Sequence, residues 1–157
     1  MKKLAILALA LVFVFALVAC GSTTPTKLGK SDFSIVLPEG YVLTEDDLSE
    51  DQIAFYHKDD KSIDFDVYQW EKGDQYTLES EAKYFAAEYG TTAESVTING
   101  IKCWKYVSTE EYEGNPYTVV NYMFEDDTYI VELSFWTVDT EAEYAAVDNI
   151  INTLKKN

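Results

Sequence analysis

Apolar residues recur along this chain with two different periods, and the changes of period predict its elements. Phe33-Ser34-Ile35-Val36-Leu37 alternates and stops at Pro38-Glu39-Gly40, the pattern of a strand closed by turn residues. Ile53 to His57 and Ser62 to Trp70 read as two further strands, joined by the charged turn Lys58-Asp59-Asp60-Lys61. The period then lengthens. Leu78, Ala82, Phe85 and Tyr89 fall on one face of a helix that Thr77 caps, with Glu79 and Glu81 in its first turn and Gly90 at its end.

Alternation returns with Ser95-Val96-Thr97-Ile98, and Asn99-Gly100 separates it from Ile101-Lys102-Cys103-Trp104. Asn-Gly between two such runs is a strong hairpin cue, because both residues tolerate positive φ. The strand from Ile101 to Tyr112 turns at Glu113-Gly114-Asn115-Pro116 into Tyr117 to Phe124. Glu125-Asp126-Asp127 then leads into Tyr129 to Trp136, which completes a four-stranded meander. Thr140 with Glu143 forms a capping box, and Tyr144, Val147, Ile150, Ile151 and Leu154 make an apolar stripe at helical spacing. Lys155 and Lys156 are expected to complement the negative end of that helix. The fold class is α+β: an antiparallel sheet of about six to seven strands with two packed helices, in the order βββ-α-ββββ-α.

A different pattern precedes all of this. Met1-Lys2-Lys3 is followed by an uncharged apolar run from Leu4 to Ala19, the build of a secretory signal. The run is shorter than the roughly 20 residues a membrane-spanning helix needs. It closes with Leu17-Val18-Ala19-Cys20-Gly21, which resembles a bacterial lipobox. The resemblance implies removal of residues 1–19 as a signal peptide and a diacylglycerol on the sulfur of Cys20. The alternative is an ordinary signal peptide with an incidental cysteine. Residues 20–31 (CGSTTPTKLGKS) then read as a lipidated cysteine and a flexible tether, with a single domain over 32–157. Eleven tether residues have a reach of about 18 Å. The expected location is extracytoplasmic and lipid-anchored to the cell membrane.

Charge narrows the range of partners. The chain has 28 acids, 12 lysines and no arginine. Loss of Lys2 and Lys3 takes the net charge from −16 to −18. Such an acidic surface opposes nucleic acid, whose binding rests on cationic contacts to phosphate. It also opposes direct adsorption to anionic lipid, which leaves the lipid on Cys20 as the membrane contact. Cys103 would be the one remaining cysteine, so no internal disulfide is available, and on an apolar strand it reads as a small core residue. His57, the only histidine, gives no sign of meeting it.

The opening "FSIVLPEGY" (Phe33 to Tyr41), the mid-chain helix, the "ING" hairpin, the meander and the terminal amphipathic helix together resemble PsbP-like lipoproteins over about 33–155. That group shares a fold with the extrinsic PsbP subunit of photosystem II and a nuclear-import cofactor. The resemblance implies a small binding or accessory protein and brings no functional residues with it.

The chain carries no nucleotide loop, nucleophile elbow or zinc-ligand pattern. In SIDFDVYQW, Ile63, Phe65 and Val67 share one face, while Asp64, Asp66, Tyr68 and Trp70 share the other. In the strand from Tyr129, Val131, Leu133 and Phe135 oppose Glu132, Ser134 and Trp136. If the two strands are neighbours, Asp64, Asp66, Tyr68, Trp70, Glu132 and Trp136 form one aromatic and acidic surface. Such a surface suits a cationic ligand or a sugar ring. The same pattern fits aromatics covered by the second helix with the acids left in water. The acidic loop (Glu45, Asp46, Asp47, Glu50, Asp51) lacks the spacing of a calcium loop, so no metal or other cofactor is expected. Glu110, Glu111 and Glu113 read as solvated acids at a hairpin end.

The sequence therefore predicts a non-catalytic, membrane-anchored ligand-binding or accessory module. The alternative is a protein–protein adaptor in an envelope complex. An enzyme is not expected.

Overall fold

The computed structural model describes residues 24–44, 48–57 and 63–157. The expected signal peptide, Cys20, the loop acids Glu45, Asp46 and Asp47, and the turn Lys58 to Lys61 lie outside the described residues. The chain runs through β1 (Pro25–Lys27), β2 (Phe33–Val36), β3 (Val42–Thr44), β4 (Gln52–His57), β5 (Phe65–Glu71) and α1 (Leu78–Glu88). It continues through β6 (Glu94–Ile98), β7 (Ile101–Tyr112), β8 (Asn115–Glu125), β9 (Tyr129–Trp136), α2 (Glu141–Ile151) and β10 (Lys155–Lys156).

Seven strands form one antiparallel sheet in the order β3-β4-β5-β9-β8-β7-β6. A second, three-stranded sheet has the order β1-β2-β10. The α+β architecture with two helices on an antiparallel sheet is as expected, with additional short strands. The four-stranded meander is β6 to β9. Its first two turns carry paired positive φ values, 50° and 82° at Asn99-Gly100 and 51° and 80° at Glu113-Gly114. That is the backbone a two-residue hairpin requires to match strand twist.

Side-chain alternation gives the large sheet two different faces. Phe65, Val67, Leu133, Phe135, Val120, Phe124 and Cys103 point into the main core, which Val147, Ile150 and Ile151 of α2 and Phe33 and Ile35 of β2 close from the other side. Phe65 anchors an aromatic chain there, with ring centroids 5.0 Å from both Tyr56 and Phe135. On the opposite face, Trp104, Tyr106, Met123 and Ile130 pack under Leu78, Ala82 and Ala86 of α1. Thr77 and Thr140 cap their helices with complete capping boxes, the N3 partners being Ser80 and Glu143.

Three local expectations are corrected. The tether is shorter than predicted, because Pro25–Lys27 pairs with β2 and both Leu28 and Ser31 are buried. Lys155 and Lys156 do not lie in the last helical turn. Helix α2 ends at Ile151, and the two lysines pair with Ser34 and Phe33. Finally, α1, not α2, lies over the face that carries the aromatics. Cys103 is fully buried, and burial pushes its thiol up to about 12. It is separated from the strand of His57 by β5, β9 and β8. Four strand spacings make that roughly 19 Å, which removes any Cys–His pair.

The N-terminal segment is held to the main sheet through Gln69. Its side-chain carbonyl accepts from Lys30 N at 3.0 Å, and its amide donates to Leu28 O at 3.4 Å. Gly29 passes between them at φ +56°, where a Cβ would lie 2.4 Å from Ile53 Cδ1 and 2.7 Å from Gln69 Oε1. Gly29→Ala is therefore expected to destabilise the domain by about 2–3 kcal/mol, lowering Tm by roughly 10 °C. Thermal unfolding followed by circular dichroism checks this, and an unchanged Tm would show that the loop is not seated as described.

Candidate functional site

The pairing of β5 with β9 brings together two of the patterns read in the sequence. Asp66 stands opposite Ser134, Tyr68 opposite Glu132, and Trp70 opposite Ile130. Beyond β9, Val119 and Asn121 of β8 and Tyr106 and Glu110 of β7 continue the same face. Helix α1 covers only part of it. Phe85 meets Trp70 edge-to-face at 5.8 Å, and Tyr89 stacks on Tyr106 at 6.4 Å. The uncovered part is a cleft of about 670 Å³, rimmed by Ser49, Glu50 and Asp51 on one side and by Glu81 of α1 on another.

Polar groups in and beside the cleft form three hydrogen-bonded sets. The Tyr106 hydroxyl donates to Glu132 Oε1 in a short hydrogen bond. Tyr117 donates to Glu110 Oε2 at 3.2 Å, and Ser108 reaches the other Glu110 oxygen at 3.5 Å. Asn121 Nδ2 in turn donates to Ser108 at 3.3 Å. Beneath Tyr68, Asp66 is buried and accepts from Gln52 Nε2 at 2.5 Å and from the Tyr68 hydroxyl at 3.4 Å.

Burial dominates the electrostatics. Glu132 is only 7% exposed, and loss of water raises its pKa to about 7. The Tyr106 hydrogen bond opposes that rise, and the charge of Glu110 adds to it. Burial also raises Asp66, partly offset by hydrogen bonds led by that from Gln52. The phenols of Tyr68 and Tyr106 are pushed well above their ordinary range, first by burial and then by neighbouring carboxylates, so both remain donors. Among the described residues no group of three His, Cys, Asp or Glu side chains is placed to hold a metal ion.

Neither any family model nor any curated protein sequence matches the chain. Solved structures do. The solution structure of cyanobacterial PsbP (CyanoP) from Synechocystis sp. PCC 6803 aligns with a TM-score of 0.64 at 13% identity, covering 90% of this chain and 99% of its own. A crystal structure of a protein from Bacteroides thetaiotaomicron VPI-5482 aligns with a TM-score of 0.57 at 20% identity, covering 80% of this chain. This chain spans about 45% of the Bacteroides chain. The fold is PsbP-like.

Within this PsbP-like domain, Tyr68, Trp70, Glu132 and Trp136 all line the cleft. Asp66 does not reach it and instead supports Tyr68 from below. Asp64 precedes β5 and joins the arrangement through its backbone carbonyl, which accepts from Trp136 N at 2.9 Å. Glu110 departs from the expected solvated hairpin end. It is half-buried, holds Tyr117 and lines the cleft, whereas Glu111 and Glu113 are exposed.

The sequence reading missed Phe85, Tyr89, Tyr106 and Asn121. The alternation of Trp104, Tyr106, Ser108 and Glu110 against Cys103 and Val107 was the available signal for Tyr106. Trp136 also stacks on Tyr117 at 5.5 Å, and this pair divides the cleft from a second hollow of about 430 Å³ beside Tyr112, Pro116 and Thr137.

The raised pKa of Glu132 has a consequence for stability. The folded state keeps this proton up to about pH 7, while the unfolded chain releases it near pH 4.3 (about the ordinary glutamate value). The associated stability is fully present below the unfolded pKa and is lost as pH rises through 7. The loss is of order 3 kcal/mol by linkage. Asp66 contributes in the same direction. Urea unfolding at pH 5 and pH 8 should show wild type weakening at pH 8. Glu132→Gln should remove most of that difference, and an equal pH slope in both proteins would contradict the assignment.

Proposed function

We propose that this chain is a membrane-anchored extracytoplasmic lipoprotein whose PsbP-like domain binds a ligand in the cleft and performs no chemistry of its own. The observation that carries the reading is the cleft itself. A concavity of about 670 Å³ with Tyr68, Trp70, Tyr106 and Trp136 among its lining is of the size and character of a small-molecule site. Anchoring rests on the charged start, the apolar run and the lipobox-like Leu17 to Gly21. The accessory role agrees with what the PsbP-like resemblance implies.

A second reading, an adaptor for another envelope protein, is favoured by one feature. Strand β3 lies at an edge of the large sheet and exposes Val42 (53%) and Leu43 (44%). An open strand edge with apolar side chains is a place where another chain can pair.

A thermal-shift panel separates the two. A ligand at 100 times its Kd adds about 2.7 kcal/mol, which is several degrees of Tm for a domain of this size. A shift seen in wild type and lost in Trp70→Ala supports the cleft. No shift with divalent ions, cell-wall sugars, cationic peptides or polyamines would move the assignment to the adaptor. Anchoring is tested separately: Cys20→Ser is expected to abolish palmitate labelling and release the protein from the membrane fraction. Retention of the label would refute lipidation at Cys20.

A further inference from the structure

We infer that the ligand of this cleft presents a primary alkylammonium group and that Glu132 is the residue that receives it. The inference rests on the cleft being the binding site, and it goes further by naming the ligand's chemistry.

Glu132 is buried in the cleft floor, yet its hydrogen bonding involves one oxygen only. Oε1 accepts from Tyr106, and Oε2 accepts from no described group. That second oxygen has capacity for one more donor. Several neighbouring donors are committed, whereas the Trp136 indole N–H has no hydrogen-bond partner among the described residues. Tyr117 and Ser108 are turned to Glu110, and the amide nitrogen of Asn121 is turned to Ser108, which leaves its carbonyl oxygen as a further acceptor. Around Glu132 the floor is rich in acceptors, which suits a ligand that brings protons.

Charge and shape sharpen this. The charged residues lining the cleft are all carboxylates: Glu50, Asp51, Glu81, Glu110 and Glu132. The faces of Tyr68, Trp70 and Trp136 lie among them, and aromatic faces attract a cation while packing against its alkyl stem. A guanidinium binds best through two parallel bonds to both oxygens of a carboxylate. Glu132 has one oxygen occupied, which fits the point donor of an ammonium better than a planar fork. A neutral sugar would leave the five carboxylates of the lining without a counter-charge. Calcium would need six to eight oxygens around one point, and no described acid cluster supplies them.

The shared chemistry has two sources, a free diamine or a lysine side chain of a peptide. Glu132 shares the cleft with Tyr106 and Glu110 of β7, Tyr68 of β5, Glu81 and Tyr89 of α1, and Glu50 and Asp51 of the rim. Burial raises the pKa of Glu132 to about 7. An alkylammonium has a pKa of about 10.4 and keeps its charge from pH 6 to pH 8. Affinity should therefore rise by roughly tenfold across that interval as Glu132 ionises.

The experiment is calorimetric titration of the full-length chain in detergent micelles with 1,5-diaminopentane, trilysine, triarginine, a neutral N-acetylglucosamine oligomer and calcium chloride. Diaminopentane or trilysine should bind, with the rise in affinity from pH 6 to pH 8. Glu132→Gln should weaken binding at pH 8 by at least about tenfold and flatten the pH profile, with a Tm no lower than wild type. Tighter binding of diaminopentane points to a free amine, and tighter binding of trilysine to a peptide. Unchanged affinity in Glu132→Gln, or preference for triarginine, overturns the inference. Binding of the sugar or calcium alone, lost in Trp70→Ala, overturns it while leaving the binding-module reading standing. No binding by any probe ends both. If Glu132→Gln does not fold, the wild-type pH profile decides, and a flat one counts against the role given to Glu132.

Discussion

The structure depends on the pairing of β5 with β9, which joins residues 65–71 to residues 129–136 through seven consecutive partner pairs. This is the seam between the N-terminal half of the large sheet and the meander. It also sets the identity of both faces at once. With Val67 opposite Leu133 and Phe65 opposite Phe135, the apolar set meets the main core, and Asp66, Tyr68, Ser134 and Glu132 are forced onto the other side. A slip of one residue in a single strand would exchange its faces and bury its carboxylates among phenylalanines. The cleft floor and the core are thus specified by one register.

The two faces of each strand were readable because each alternates cleanly, whereas the pairing of β5 with β9 stood only as a condition. The hairpin at Asn99-Gly100, the Thr77 cap and the capping box at Thr140 were legible for the same kind of reason: a specific backbone geometry demands specific residues there. The small sheet was not legible. Pro25–Lys27 and Lys155–Lys156 have no periodicity, and they are strands only because β2 offers them partners, Ser34 to Val36 for the first and Phe33 and Ser34 for the second. Local propensity carries no trace of such a tertiary demand. The choice of covering helix was equally hidden, since both helices are amphipathic and alternation alone does not say which lies on which face. Tyr106 and Glu110 entered the site through strand order, a property of the assembled sheet.

The cleft face departs from the economy of the rest of the domain. On the core side, side chains are apolar and interlocked, and the lone thiol of Cys103 is treated as one more small hydrophobe. On the cleft side, Asp66 and Glu132 are buried beside phenols that stabilise them only in part, with burial raising both pKa values. Buried carboxylates of this kind weaken a fold unless a partner is supplied. Local conflict between burial and charge concentrated on one face, in a domain otherwise consistent from turn chemistry to core packing, is the pattern expected where selection has acted on something besides stability.

The three-stranded sheet has a further consequence, mechanical in kind. The first described strand, β1, and the last, β10, flank the same strand β2, and the core cluster of β2 lies on the α2 side of the large sheet, away from the cleft. Tension entering at the N-terminal end would load β1 first, and would reach β5 only beyond it, through the hydrogen bonds of Gln69 to Lys30 and Leu28. A chain tugged by its leading end would lose three residue pairs at its margin before the cleft floor felt any strain. The three pairs of β1 would act as a fuse ahead of the cleft floor.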